Sequence, residues 1–375
     1  MRARCLLVGI ALSALNCSEK STAPEPAKAT TAGSAGQASG AAGGAPLGGS
    51  GSVAAGAAGM AGVAGTLVTA GSGGAGSGGA AGSGPSSEGP TTLSERYCPK
   101  TTEAYPNPLA QSPVPVVVPI APPGGISFLE GPVWLAERGV LMLSEWNDQH
   151  RILQLTPPQA VEVYKPMSRT NGLVVTPDGK SLLVVTEMPN ATVSRINLAD
   201  KSVEPLVADY EGESFIQPND LAMLADGTLF FTDYQAGRLY ERDSAGKVGL
   251  ISSLTHANGV GVSPDEKTLY LMADTHAVKY PLGPGGSVGT EAEFAAGLNG
   301  ADGLAIDCAG NVYIAQNNGG SLVVVAPSGN QLGALTGLPK TVTNAAFGGP
   351  ERKTLYITTS SGLYAVAMPF AGLPY

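Results

Sequence analysis

The stretch NGVGVSPDEKTLYLMADT, residues 258–275, decides the fold, because five other stretches of the chain follow the same outline. Each has a polar residue, a short apolar run, a turn built of Pro, Asp, Gly or Lys, and a second apolar run. Successive starts lie 39 to 48 residues apart, a period that is typical of propellers and solenoids. The six units begin at Glu130, Asn171, Asn219, Asn258, Asp302 and Asn344.

Further strand candidates, such as ATVSRINL, GRLYERD and SLVVVAP, lie between these hairpins. They bring each repeat to about four strands, without helical periodicity. Four-stranded units arranged radially make a propeller, so the sequence predicts an all-β fold, a six-bladed β-propeller, over residues 113–375. A β-solenoid is the alternative, although its coils are usually shorter than these repeats.

Closure of the predicted propeller requires a strand from outside the repeats. The last unit supplies three strands, whereas PVPVVVP, residues 113–119, precedes the first unit and has no partner there. We therefore predict that PVPVVVP forms the outer strand of the last blade and covers its edge.

Composition changes abruptly near residue 93. Residues 1–17, MRARCLLVGIALSALNC, have the layout of a secretory signal and resemble a bacterial lipoprotein signal in which Cys17 is lipidated. Ordinary secretion is the alternative. Residues 18–92 are almost wholly small or polar and are predicted to be a disordered linker, followed by an irregular lead-in over residues 93–112.

These features predict an exported protein, either a cell-surface or outer-membrane lipoprotein or a periplasmic or secreted protein. We expect membrane contact only through the lipid anchor, and a monomer. Net charge of −9 without a Lys/Arg cluster argues against nucleic-acid binding. In an oxidising compartment Cys98 and Cys308 could pair, but the interpretation we favour is that both are unpaired.

The leading residues of the six units should form a ring around one mouth of the central channel. All six carry side-chain oxygens, and two of them, Glu130 and Asp302, are carboxylates. Converging carboxylates repel each other unless a cation lies between them, and mixed carboxylate and amide oxygens suit Ca²⁺, Mg²⁺ or Mn²⁺. For each asparagine alone, an ordinary turn role is the simpler interpretation.

The second strand of each unit should return to the same rim. These strands end in a second, largely acidic circle, which could hydrogen-bond the inner ring or accept backbone N–H groups in turns. Loops at this mouth, such as residues 210–217, 234–237 and 317–320, are expected to determine the substrate. The second circle consists of Glu145, Glu187, Asp233, Asp274, Asn317 and Ser360.

The stretches FLEGPVW, YEGESFIQPNDL, ANGVGVSPDEKTLY and ADGLAIDCAGNVYIA resemble the senescence marker protein/gluconolactonase family, which includes regucalcin and related lactonases. The resemblance runs from about residue 128 to 363 and implies a six-bladed propeller with one divalent cation, Ca²⁺ being our first choice. It implies Glu130, Asn258 and Asp302 as metal ligands.

The same resemblance implies that Asn219, followed by Asp220, contacts the substrate, and we place Asn171 of the ring with them. Gln217 stands where some family members carry an arginine that grips a sugar acid. The predicted activity is metal-dependent hydrolysis of a small lactone or related ester, with Asp302 as both ligand and general base.

Two other functions stay open. The chain could be a non-catalytic propeller that binds a ligand or surface partner and uses its cation only for structure. It could also run a different reaction on the same scaffold, such as a strictosidine-synthase-like condensation.

Overall fold

The computed structural model describes residues 92–157 and 160–375. The predicted signal segment, Cys17 and the linker up to residue 91 lie outside these residues. The described part begins with a single helical turn, α1 (Leu93–Tyr97), followed by irregular chain and then β1 (Val116–Val118). No helix in the described ranges is long and apolar enough to cross a lipid bilayer.

The first three repeats each fold into a four-stranded antiparallel sheet, in chain order. A two-stranded ribbon lies between the second and third sheets. The first sheet holds β2 (Leu129–Leu135), β3 (Val140–Glu145), β4 (Arg151–Thr156) and β5 (Ala160–Pro166), and the second holds β6 (Thr170–Val175), β7 (Ser181–Thr186), β8 (Thr192–Asn197) and β9 (Val203–Val207). The ribbon is β10 (Asp209–Tyr210) and β11 (Glu213–Ser214), and the third sheet holds β12 (Pro218–Met223), β13 (Leu229–Asp233), β14 (Arg238–Arg242) and β15 (Val248–Ser253).

The fourth and fifth repeats share one six-stranded sheet. Its strands are β16 (Ala257–Val262), β17 (Thr268–Pro281), β18 (Ala292–Ile306), β19 (Val312–Gln316), β20 (Leu322–Val325) and β21 (Gln331–Leu335), with a short 3-10 segment, Pro284–Gly286, between β17 and β18. The two repeats are joined because the long β18 continues from the fourth repeat into the fifth, pairing with β17 through its first part and with β19 through its last.

The last sheet consists of β22 (Val342–Gly348), β23 (Thr354–Thr359), β24 (Gly362–Ala367) and the incoming β1. The fold is therefore all-β and propeller-like, as predicted, with five large sheets in the described part of the chain. The count of six blades is not confirmed and stays a prediction.

The predicted closing strand is confirmed. β1 pairs antiparallel with β24, with Val116 opposite Ala365 and Val118 opposite Leu363, so it is the outermost strand of the last sheet. The first strands of the repeats contact one another in a closed circuit, β2 to β6, β12, β16, β18, β22 and back to β2. The Thr343 hydroxyl donates to the backbone carbonyl of Leu129 at 2.7 Å across the junction between the last and first repeats.

The core fills the space between sheets with apolar and aromatic residues from the inner strands. Phe231 of β13 stacks on Tyr240 of β14 with ring centroids 5.1 Å apart, and Phe215 packs on both rings. All three rings are buried. Dense packing of this kind holds the inner strands, and therefore the ring residues that they carry, in fixed positions.

Cys98 and Cys308 form a disulfide with 5.5 Å between their Cα atoms, so our interpretation of them as unpaired was wrong. The physical reason is the docking of α1, whose Leu93 and Tyr97 side chains join the hydrophobic core. This docking brings Cys98 to the turn that follows β18. Residues 210 positions apart in the chain are thereby linked.

Candidate active site at the mouth of the ring

Five of the six predicted ring residues line one cavity of about 190 Å³, which we call the mouth cavity. The sixth, Asn344, does not line it; its side-chain oxygen accepts the N–H of Ala345 at 2.8 Å, and its amide packs against Gly303. The residues brought together are Glu130, Asn171, Asn219, Asn258 and Asp302.

A local irregularity in the sheet accompanies each ring position. In all six repeats the register between the first and second strands shifts at or directly beside the ring residue. In β16 the shift falls between Ala257 and Val260, on either side of Asn258. A bulge bends its strand and redirects a side chain, which is how strand residues come to face a common cavity.

Glycine follows four of the six ring residues and lets neighbouring first strands approach closely. A Cβ on Gly259 would lie 2.3 Å from the backbone oxygen of Asp302, and one on Gly303 would lie 2.0 Å from Cγ of Asn344. The Asn-Gly and Asp-Gly pairs at these positions therefore serve close packing inside strands. Our simpler interpretation of the asparagines as turn residues does not describe them.

The two ring carboxylates are buried at the mouth cavity without a basic partner. Glu130 and Asp302 are each 5% exposed, and no Lys, Arg or His is among the described residues that line the cavity. Burial raises the pKa of Asp302 to about 7. The hydrogen bond from the Asn317 amide opposes this rise, and the negative charge of Asp220 adds to it. Burial and then the charge of Asp302 raise the pKa of Glu130 well above its usual range.

Asn258 supplies the observation that tests whether a cation fits here. Its backbone carbonyl accepts a hydrogen bond from the Thr232 hydroxyl at 2.7 Å, but its buried side-chain oxygen has no hydrogen-bond partner among the described residues. A buried polar atom without a partner is costly, and a cation would satisfy it. Two carboxylates and an amide oxygen form a donor set suited to a hard divalent cation.

No group of three His, Cys, Asp or Glu side chains within the described ranges is arranged to hold a metal. A metal site at the mouth cavity would therefore need amide oxygens, such as that of Asn258, in addition to the ring carboxylates. The three ligands implied by the resemblance, Glu130, Asn258 and Asp302, all line this cavity.

The predicted substrate residues divide into two groups. Asn171 and Asn219 line the mouth cavity, whereas Asp220 does not. The Asp220 carboxylate accepts the backbone N–H groups of Leu221 at 2.9 Å and Val260 at 3.4 Å, and burial raises its pKa to about 7. Asp220 thus ties two first strands together behind the ring.

The second circle plays both roles that the sequence left open. Asn317 donates a hydrogen bond to Asp302 of the ring. Asp233 instead accepts backbone N–H groups, those of Ile216 at 2.8 Å just before β12 and of Ala236 at 3.1 Å in its own turn. Glu187 accepts the indole N–H of Trp146 at 2.6 Å. Only part of this circle therefore supports the ring.

Sequence reasoning missed two aromatic residues of the mouth cavity, Phe128 and Trp146. Tyr234, which also lines it, lies in a loop that we expected at the mouth. The aligned repeats contain a signal for two of them, because Trp146 and Tyr234 each directly follow the last residue of a second strand, Glu145 and Asp233.

Comparison with known proteins places this geometry in a family. The family model described as SMP-30/gluconolactonase/LRE-like region matches residues 128–361, more than half of the chain. A gluconolactonase of Zymomonas mobilis is 28% identical over 285 residues, covering 64% of this chain and 78% of the relative. A pentonolactonase of Haloferax volcanii is 28% identical over 249 residues, covering 62% of this chain and 81% of the relative.

A solved structure of a calcium-binding protein, regucalcin of Agrobacterium tumefaciens, has a similar fold. Its TM-score is 0.57 at 19% identity, with 68% of this chain and 99% of that chain covered. The residues matched by the family model include all six ring residues and the aromatic residues of the mouth cavity, Phe128, Trp146 and Tyr234. The chain belongs to the SMP-30/gluconolactonase/LRE-like family.

Proposed function

We propose that this protein is a metal-dependent hydrolase that opens a small lactone or related ester at the mouth cavity. Its membership of the family supports a lactonase activity, since relatives that match most of the propeller-like part are a gluconolactonase and a pentonolactonase. We also propose that the six-stranded sheet comprises two blades, which would complete a six-bladed propeller.

One observation carries the proposal: the partnerless, buried oxygen of Asn258 lies at a cavity lined by the buried carboxylates of Glu130 and Asp302. These three side chains would hold one divalent cation. Ca²⁺ is our first choice, because the donors are all oxygen and a calcium-binding protein has a similar fold. Mg²⁺ and Mn²⁺ use the same donors.

When bound, such a cation polarises an ester carbonyl and acidifies water. The chain's own residues would do the rest. The Asp302 carboxylate would accept the proton of the attacking water and return it to the alkoxide released when the ring C–O bond breaks. The Asn317 amide, which donates to one Asp302 oxygen, would fix the orientation of that carboxylate. Asn171 and Asn219 offer amide groups to the polar parts of the substrate at the cavity wall.

We propose in addition that the protein is exported as a monomer and anchored only through a lipid on Cys17, which lies outside the described residues. The disulfide between Cys98 and Cys308 supports export, since such bonds persist in oxidising compartments. Incorporation of radiolabelled lipid into the wild type, and its loss in Cys17→Ser, tests the anchor.

The activity is tested with a panel of chromogenic lactones and esters, with and without a chelator. We expect hydrolysis that the chelator abolishes and Ca²⁺ restores, and a loss of about 10²-fold or more in kcat for Asp302→Asn. Asp200→Asn, at an exposed residue in the turn between β8 and β9, is the matched control. Full activity of Asp302→Asn would refute the role of this residue, and cation binding without hydrolysis would favour the non-catalytic alternative.

A further inference from the structure

We infer that the mouth cavity selects uncharged lactones that carry an aromatic or other apolar substituent. This inference rests on the proposed hydrolase function and specifies its substrate class. It follows from three features of the cavity: its charge, its fixed aromatic side chains and an exposed apolar pair beside them.

The charge of the mouth cavity disfavours anionic substrates. Three carboxylates line it, those of Glu130, Asp274 and Asp302, and none of the described lining residues is basic. A divalent cation would neutralise two of these charges and leave an excess of one negative charge. Gln217, another lining residue, donates its side-chain amide to Glu187 at 3.1 Å and so adds no positive charge.

On one side, the mouth cavity is lined by aromatic side chains held in fixed positions. Trp146 packs on Phe128 with ring centroids 5.4 Å apart, and the indole N–H is held by Glu187. Tyr234 stacks on His256 with ring centroids 5.0 Å apart and an interplanar angle of 14°. Nδ1 of His256 is in turn hydrogen-bonded to the carboxylate of Asp274.

Two exposed apolar residues flank Glu187 and Gln217 in the chain, outside the lining of the mouth cavity. Met188 directly follows Glu187 and is 49% exposed, and Ile216 directly precedes Gln217 and is 44% exposed. Their backbones meet, because the N–H of Met188 donates to the carbonyl of Ile216 at 3.3 Å. We call the set Phe128, Trp146, Met188, Ile216 and Tyr234 the apolar arc.

The remainder of the mouth cavity is polar. Asn317 and Asn318 line it beside the ring residues Asn258 and Asp302. A substrate that matches both sides would present its lactone carbonyl to the ring and lay a flat apolar substituent on the apolar arc. Rigid aromatic surfaces favour such substituents through buried area and ring stacking. A polyhydroxylated lactone would leave the apolar arc without a complementary partner.

The experiment compares dihydrocoumarin, a neutral aromatic lactone, with gluconolactone, using the full chain supplied with Ca²⁺. We expect kcat/KM for dihydrocoumarin to be at least about tenfold higher, the equivalent of one well-packed apolar group. Trp146→Ala and Ile216→Ser should each lower the ratio of the two kcat/KM values, Trp146→Ala by about tenfold. Trp146→Phe should retain most of the ratio, and Tyr105→Ala, whose ring packs on Phe370 away from the mouth cavity, is the control.

A preference for gluconolactone, or a ratio that none of the arc variants changes, overturns the inference while leaving the hydrolase proposal intact. If the wild type hydrolyses neither lactone, binding of tetralone, an aromatic ketone without an ester, decides the inference separately. The hydrolase proposal fails only if the chromogenic panel is not hydrolysed either. Saturation-transfer NMR should then show tetralone bound to the wild type and at least about tenfold weaker binding to Trp146→Ala. Equal binding to both proteins overturns the inference.

Discussion

At the ring, Asn258 illustrates how far one residue could be predicted. Its position at the start of a repeat, and the resemblance to the family, correctly placed it at the mouth cavity with Glu130 and Asp302. Its partnerless side-chain oxygen could not be predicted, because that depends on which donors the other sheets bring near. Trp146 was missed for a similar reason, since it reaches the cavity from the end of a second strand, whereas the ring was derived from first strands.

The buried carboxylates predict how stability depends on pH. Burial raises the pKa of Asp302 and of Asp220 to about 7, so without a cation the folded state favours their protonated forms. Below the pKa that these carboxyls have in the unfolded chain, their protonated forms contribute fully to stability. This contribution is lost as pH rises towards 7, which lowers the free energy of unfolding by on the order of 4 kcal/mol for Asp302.

We therefore expect the free energy of unfolding, measured in chelator, to fall between about pH 4 and about pH 7. Ca²⁺ should remove most of this fall, and Asp302→Asn should reduce it without added metal. If the free energy of unfolding in chelator is constant or rises across this range, burial does not raise the pKa of these carboxyls in the folded protein.

Among the elements, the hairpins were predictable and their junctions were not. Period-two apolar runs and turn residues are local, so β2–β3 or β12–β13 can be recognised from the sequence alone. The register shift at each ring residue is a relation between two strands. The continuity of β18, which merges two repeats into one sheet, likewise depends on pairing partners that no local pattern specifies.

Gly303 tests the close approach of first strands. A Cβ there would lie 2.0 Å from Cγ of Asn344, so Gly303→Ala must displace this buried side chain and disturb its hydrogen bond with the Ala345 N–H. We expect a loss of about 1–3 kcal/mol in the free energy of unfolding, measured with urea. Gly362→Ala, where a Cβ meets no atom of the described residues within 4 Å, is the matched control and should change stability little. Equal stability of the two variants would contradict the packing role of Gly303.

Across the whole molecule, two long-range links differ in how well they could be predicted. Pairing of β1 with β24 followed from counting strands, since one blade lacked a member and one strand lacked a partner. The disulfide joins residues 210 positions apart, and its formation depends on where α1 docks, which repeat spacing does not determine.

The disulfide should contribute substantially to global stability. We expect Cys98→Ser to lower the free energy of unfolding by about 2–5 kcal/mol under oxidising conditions. Dithiothreitol should destabilise the wild type to a similar extent and leave the double variant Cys98→Ser/Cys308→Ser unchanged. If dithiothreitol leaves the free energy of unfolding of the wild type unchanged, the disulfide does not stabilise the fold.

The central claim is that the mouth cavity holds one divalent cation through Glu130, Asn258 and Asp302, and calorimetric titration of metal-stripped protein with Ca²⁺ tests it most directly. We predict one site per chain in the wild type. We also predict at least about tenfold weaker binding in Asn258→Leu, and wild-type affinity in Asn318→Leu, which changes a mouth amide that is not a proposed ligand. Absence of a site in the wild type, or undiminished affinity in Asn258→Leu, would contradict the claim.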